Sequence, residues 1–139
     1  MKIKTAKKNS DFEKINIFFG KMWLEEFNLE RFDCIEQYKS GKVFFIEQEE
    51  KIISAIFIFE RDGNYGIQRF GTLKEFRGKG FGRKVFDKMI KFLKDKKIKN
   101  LYVNADIKKQ SMYEHLGFKS LGEIRMIGEN KALKMLKII

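Results

Sequence analysis

Phe76-Arg77-Gly78-Lys79-Gly80-Phe81-Gly82-Arg83 sets three glycines and three cations where a predicted strand hands over to a predicted helix. Glycine admits backbone turns that other residues resist, and the first turn of a helix leaves N–H groups unpaired at the positive end of its dipole. Together they form a cradle for an anion, and a phosphorylated cofactor is its natural occupant. Val85, Phe86, Met89, Ile90, Phe92 and Leu93 recur at three- and four-residue spacings and predict a helix from about Gly80 to Asp95 with one buried face. No Ser, Thr, Asp or Asn stands just before its first turn, so the usual side-chain cap is missing and a ligand can take that place. The plain alternative is a flexible glycine loop with solvated cations.

Two better-known phosphate loops do not fit. A Walker A loop needs Lys followed by Ser or Thr, but Gly80 follows Lys79. A Rossmann fingerprint needs a third glycine three positions after the second, where this chain has Val85 counted from Gly82 and Arg83 counted from Gly80. What remains is Arg/Gln, two residues, Gly, one residue, Gly/Ala, filled by Arg77, Gly80 and Gly82.

Some thirty residues further on, Ser111-Met112-Tyr113-Glu114-His115-Leu116-Gly117-Phe118 reads as a short tyrosine-bearing helix ending in Leu-Gly-Phe. With both motifs in this order, and Phe70-Gly71-Thr72-Leu73-Lys74-Glu75-Phe76 as the strand before the loop, the chain resembles the GNAT superfamily of acetyl-CoA-dependent N-acetyltransferases. The match covers roughly residues 43 to 122 and leaves the first forty as the variable part. It implies an α/β fold: a mixed, mostly antiparallel sheet with one splayed parallel strand pair, flanked by helices, in a single domain over residues 1–139. The activity implied is transfer of an acetyl group from acetyl-CoA to a primary amine by direct attack, without a covalent intermediate.

The resemblance also assigns roles. Pantetheine is expected to pair with the backbone of Thr72 and Leu73. The N–H groups of Arg77, Gly78, Lys79, Gly80, Phe81, Gly82 and Arg83 are expected to hold the pyrophosphate. Tyr113 is the expected proton donor to the departing thiolate, and the N–H of Leu73 the expected donor to the tetrahedral oxyanion. Asp106 stands seven residues before Tyr113, near the cofactor, where the family commonly has asparagine. Ile67, Gln68, Arg69 and Phe70 ahead of the loop offer no carboxylate to act as base; Gln68 can only position a water, and Glu25 and Glu26 are candidates to attract an ammonium or are plain surface charges. His115, two residues beyond Tyr113 on the same short helix, is expected to point away from it.

Composition agrees with this reading. A chain of 139 residues with 43% apolar residues can bury one core. No run of about eighteen uncharged apolar residues is present, and Met1-Lys2-Ile3-Lys4 lacks the apolar stretch of a signal peptide, so a soluble, cytoplasmic protein is expected. Cys34 is the only cysteine, which rules out an internal disulfide and marks it as a small core residue. Residues 1 to 60 hold ten Lys or Arg against eleven Asp or Glu, and residues 61 to 139 twenty against eight. The positive excess therefore lies with the glycine loop, where Lys74, Arg77, Lys79, Arg83 and Lys84 suit the phosphates of CoA. Lys94, Lys96, Lys97 and Lys99 are read as solvating a helix end. The near-neutral N-terminal part argues against a strongly anionic acceptor.

Element by element, Ile3 to Ala6 predicts an edge strand, and Ser10 with Glu13 a capping box opening a helix with Phe12, Ile15, Phe18, Phe19, Met22 and Trp23 on its apolar positions. A second helix is expected around Leu29 to Tyr38. Strands follow at Val43 to Glu47, Ile52 to Phe59 and Tyr65 to Lys74, then Leu101 to Val103 parallel to the last of them, Phe118 to Ile127 and Ala132 to Ile138. The expected partners are acetyl-CoA and an unidentified amine acceptor, with no membrane, and a homodimer through the C-terminal strand Ala132 to Ile139 as an option. Two other readings stay open: a catalytically silent acyl-CoA-binding sensor or interaction module, and, behind it, a basic nucleic-acid-binding domain using Phe76, Phe81 and Tyr102 for stacking.

Overall fold

The computed structural model describes residues 2–28 and 33–139, apart from the side chains of Phe27 and Ile127. Seven strands form one sheet: β1 (Ile3–Thr5), β2 (Lys42–Gln48), β3 (Lys51–Arg61), β4 (Asn64–Thr72), β5 (Asn100–Asp106), β6 (Lys119–Ile127) and β7 (Asn130–Ile138). Their spatial order is β1-β2-β3-β4-β5-β7-β6, antiparallel throughout except for the parallel pair β4 and β5. Helices α1 (Asn9–Phe27), α2 (Ile35–Lys39), α3 (Phe81–Asp95) and α4 (Gln110–His115) flank the sheet. The mixed sheet with a single parallel pair is the architecture expected from the sequence.

The two faces of the sheet carry different helices, and this divides the molecule functionally. Residues paired across antiparallel strands share a face. Val43 pairs with Phe57, and the Phe57 ring meets Tyr38 of α2 edge-on at 5.1 Å; Tyr38 in turn lies 5.6 Å from Phe19 of α1. Phe44 pairs with Ile56 on the opposite face and lies 5.4 Å from Phe92 of α3. Strand β3 is therefore covered on both sides, which is why Ile52 to Ile58 is buried without interruption instead of alternating. Val85, Phe86, Met89 and Leu93 are the buried stripe of α3, as their spacing predicts.

Several boundaries differ from the sequence reading. The capping box of α1 does not use Ser10 and Glu13: Asp11 accepts from the N–H groups of Lys7 and Lys8, both at 3.0 Å, and the helix opens at Asn9. The extended backbone at Lys8 turns those donors toward Asp11, the third residue after it. Partial burial raises the Asp11 carboxyl, but the two backbone donors outweigh it and hold it below its ordinary value. A lowered carboxyl stabilises above its unfolded value and loses that contribution as pH falls through the folded one. Asp11→Ala is thus expected to cost about 1 kcal/mol in urea denaturation at pH 7, with the difference from wild type vanishing in acid.

The second helix occupies only Ile35–Lys39; the Leu29 to Phe32 part of that expectation lies outside the described residues. Strand β4 stops at Thr72, and Lys74, expected in the strand, opens a short 3-10 turn, Lys74–Phe76. Strand β7 is hydrogen-bonded to β5 on one side and β6 on the other. The C-terminal strand therefore offers no free edge for pairing with a second copy, and the free edge at that end of the sheet belongs to β6.

Candidate functional site

The parallel pairing of β4 and β5 covers Tyr65 with Leu101, Gly66 with Tyr102 and Ile67 with Val103, and then ends. Both strands continue, β4 to Thr72 on β3 and β5 to Asp106 on β7, so the sheet opens as a fork. A β-bulge marks the opening: Ile58 pairs with Ile67 and Phe57 with Arg69, which leaves Gln68 without a partner. A cleft of about 290 Å³ fills the fork. Gln68, Arg69 and Phe70 of β4 and Asn104, Ala105 and Asp106 of β5 form its walls, Tyr113 of α4 lines it, and Phe19, Met22, Trp23 and Glu26 of α1 close over one side.

Main-chain direction along β4 decides which groups face the opening. The Leu73 N–H donates to the Ile53 carbonyl at 2.9 Å, so it is tied to β3 and cannot donate to an oxyanion in the fork. That corrects the expectation for Leu73, whose side chain is also buried in the core. Backbone groups alternate sides along a strand, so with Leu73 turned to β3, the main chains of Thr72 and Phe70 face the opening. The Thr72 carbonyl already accepts from Arg77 Nε at 2.9 Å, a bond that folds the loop back onto the end of β4.

The loop after β4 has the geometry its glycines suggest. Gly78 and Gly80 adopt φ values of 76° and 85°, in the left-handed region that favours glycine, and a side chain built on either would meet nothing within 4 Å. Gly82 serves a different purpose: a Cβ there would lie 3.3 Å from Thr72 Oγ1 and 3.7 Å from the Phe70 ring, so its absence lets α3 sit against β4. Gly80 is the N-cap of α3 with no side-chain hydrogen bond to the first turn, leaving the donors of that turn directed outward. The Lys79 ammonium lies 5.7 Å from the Phe76 ring, Lys84 lies 5.8 Å from the Phe81 ring, and Arg83 pairs with Asp87 at 3.1 Å. Open space, unpaired donors and nearby cations fit a pyrophosphate at this loop. Phe76 and Phe81 pack edge-on against each other at 6.2 Å, which occupies them within the loop.

Tyr113 is 5% exposed, its ring edge-on to Phe118 at 5.4 Å, and its hydroxyl is bonded to no other group among the described residues. Burial, and secondarily the negative charge of Glu26, push its phenol well above its ordinary value. The phenol is therefore a donor at neutral pH and not a base. Glu26 is held by Lys109, whose Nζ lies 2.9 and 3.0 Å from the two carboxylate oxygens, bridging α1 to the turn before α4. Asp106 lines the cleft while one carboxylate oxygen accepts from the Lys108 N–H at 3.0 Å, capping its own turn. His115 is exposed and does not line the cleft.

The structure thus brings Tyr113, Glu26, Gln68 and Asp106 to one cleft, with Thr72 at its phosphate-loop end, and leaves Glu25 out of its lining. Sequence reasoning missed Arg69. A lone arginine in a strand carries no local signal, and only the tertiary structure shows what surrounds it.

A protein-family model described as an acetyltransferase (GNAT) domain matches residues 9–138. An uncharacterized acetyltransferase of Streptococcus pyogenes serotype M1 is 22% identical over 93 residues, 67% of this chain and 66% of that protein, so the matched stretch spans just under two thirds of the relative. Among solved structures, a GNAT-family acetyltransferase from Staphylococcus aureus Mu50 aligns with a TM-score of 0.78 at 20% identity, covering 99% of each chain. An aminoglycoside 6'-N-acetyltransferase complexed with coenzyme A aligns with a TM-score of 0.82 at 12% identity, over 99% of this chain and 97% of that one. The structural likenesses speak for the fold, and the family model, which spans nearly the whole sequence, speaks for descent. This chain belongs to the GNAT acetyltransferase family.

Proposed function

We propose that residues 1–139 form one acyltransferase domain that moves an acetyl group from acetyl-CoA to a primary amine by direct attack. The observation that carries this reading is the fork itself: unpaired main chain on β4, a capless glycine loop at its outer end, and the buried phenol of Tyr113 beside the same cleft. Pantetheine is an extended amide chain and can bond to the free edge of β4 as an added strand, at Thr72 and Phe70. The N–H groups from Gly78 to Arg83 would hold the pyrophosphate, with Lys79 and Lys84 close by; that of Arg77, expected among them, instead donates to the Lys74 carbonyl at 3.3 Å. Asp106 would border the cofactor.

Attack forms the C–N bond and breaks the C–S bond; the amine gives up a proton and the sulfur gains one. A main-chain N–H of β4 facing the fork, from Phe70 or Thr72, would stabilise the oxyanion. The Tyr113 phenol would donate a hydrogen bond to the leaving sulfur. Full transfer of its proton to a thiolate runs uphill, because a thiol ordinarily titrates near 8.5 and a phenol near 10, and burial raises this phenol further. Glu26 would draw the acceptor's ammonium into the cleft, with Lys109 fixing its carboxylate, and a water on Gln68 would carry the proton away. Glu26→Gln is expected to raise KM for the amine roughly tenfold, with a smaller change in kcat, read from initial rates of thiol release.

No helix among the described residues is long and apolar enough to cross a membrane; a cytoplasmic location belongs to the same proposal. The test is acetyl-CoA with a panel of primary amines, followed by thiol release and mass spectrometry of products. Acetylated amine supports the reading. Uptake of CoA without transfer to any amine would instead assign a silent acyl-CoA-binding module.

A further inference from the structure

Arg69 lines the cleft and forms no ion pair among the described residues. Its Nε is shielded from solvent and has no hydrogen-bond partner among the described residues, while one Nη donates to the neutral side-chain carbonyl of Gln37 at 3.3 Å. The guanidinium, partly exposed, lies 5.4 Å from the Tyr38 ring, which favours the cation there without supplying an anion. A shielded, unpaired donor on a cation is costly to keep, because the group has lost water and gained nothing equivalent. Among the described residues neither cleft carboxylate is bonded to Arg69: Glu26 is bridged to Lys109, and one oxygen of Asp106 accepts from the Lys108 N–H.

Face and position exclude a role in holding CoA phosphates. Arg69 pairs with Phe57, so its side chain lies on the sheet face covered by α1 and α2. Gly82 and the loop of α3 pack against Thr72 and Phe70 on the other face, where Phe70 stacks on Phe86 at 6.2 Å. The cleft passes between the two strands, with the phosphate loop on one side and Arg69 on the other. Glu26, from α1, borders the Arg69 side.

We infer that Arg69 binds a carboxylate of the acceptor, so that the substrate class is amines carrying a free carboxylate, such as amino acids or the C-terminal residue of a short peptide. This rests on the acetyl-transfer reading above and adds to it. Glu26 and Arg69 offer a negative and a positive group in one cleft, which suits a molecule bearing both an ammonium and a carboxylate. The planar guanidinium, with several donors still free, matches carboxylate geometry better than a lysine would. The expectation against a strongly anionic acceptor drew on the N-terminal part alone, and an acceptor bearing one ammonium and one carboxylate does not conflict with it.

The experiment uses the twenty amino acids, each against its own carboxamide. Binding is read by calorimetry on protein saturated in CoA, and transfer by product mass spectrometry with acetyl-CoA as the donor. Wild type is expected to bind and acetylate at least one free acid roughly tenfold better than its amide. Arg69→Gln should bring that acid down to the level of the amide, and Arg69→Lys should restore part of the preference. CoA uptake by each variant, measured separately, verifies folding and tests the acetyl-transfer reading independently of acceptor choice. Equal binding of acid and amide, preference for the amide, binding of neither, or a preference that survives Arg69→Gln would overturn the assignment.

Discussion

Tyr113→Phe is expected to lower kcat roughly a hundredfold, with the KM for acetyl-CoA little changed. The substitution removes one oxygen from a ring that is otherwise core, packed edge-on against Phe118, so the fold should persist. The hydroxyl is bonded to no other group among the described residues, and its loss leaves no buried partner stranded. The effect should therefore fall on the chemical step and not on stability. A Tyr113 that served only as core packing would leave kcat intact, because phenylalanine keeps the ring against Phe118.

Titration of the same residue gives a second sign. A phenol held above its ordinary value stays protonated in the folded state past the pH at which it ionises in the unfolded chain. Its stabilising contribution is complete below about pH 10 and is lost as pH rises through the folded value. Between pH 7 and about pH 9.5, the activity of wild type should accordingly show no decline that Tyr113→Phe abolishes.

Gly80→Val is expected to weaken acetyl-CoA binding at least a hundredfold. Gly80 holds φ at 85° and caps α3, and a β-branched residue forced into that region is strained by about 1–2 kcal/mol. The backbone relieves the strain by turning, and the N–H groups of the first turn then no longer converge. Each charge-assisted bond to phosphate contributes about 1.5–3 kcal/mol, so misdirecting two of them accounts for the loss. Gly63, at φ 81° in the turn before β4, provides the control. Gly63→Val imposes similar strain at the opposite end of β4 and should lower stability without changing CoA affinity.

How far the sequence reached depends on the range of the interactions involved. The stripe of α3, the glycine loop and the tyrosine turn are local patterns, and each was legible because helical spacing and glycine conformation act within a few residues. Leu73 was misassigned because the choice between β3 and the fork depends on strand parity, which the bulge at Gln68 resets and a sequence does not reveal. The capping box slipped because Asp11 and Glu13 both have the required chemistry, and only the backbone turn at Lys8 chooses between them. Arg69 with Gln37, and Glu26 with Lys109, join residues 32 and 83 positions apart; nothing in either neighbourhood announces its partner. The site's scaffold was thus readable, while its acceptor end, built from long-range contacts, was not.

The measurement closest to the central claim is a calorimetric titration of acetyl-CoA into wild type and Gly80→Val, with circular dichroism to verify that both are folded. The account predicts one-to-one uptake by wild type, abolished or weakened at least a hundredfold by the substitution. Folded wild type that takes up no acetyl-CoA, or a Gly80→Val variant that binds it equally well, would contradict the claim that the main-chain donors of this loop hold the cofactor.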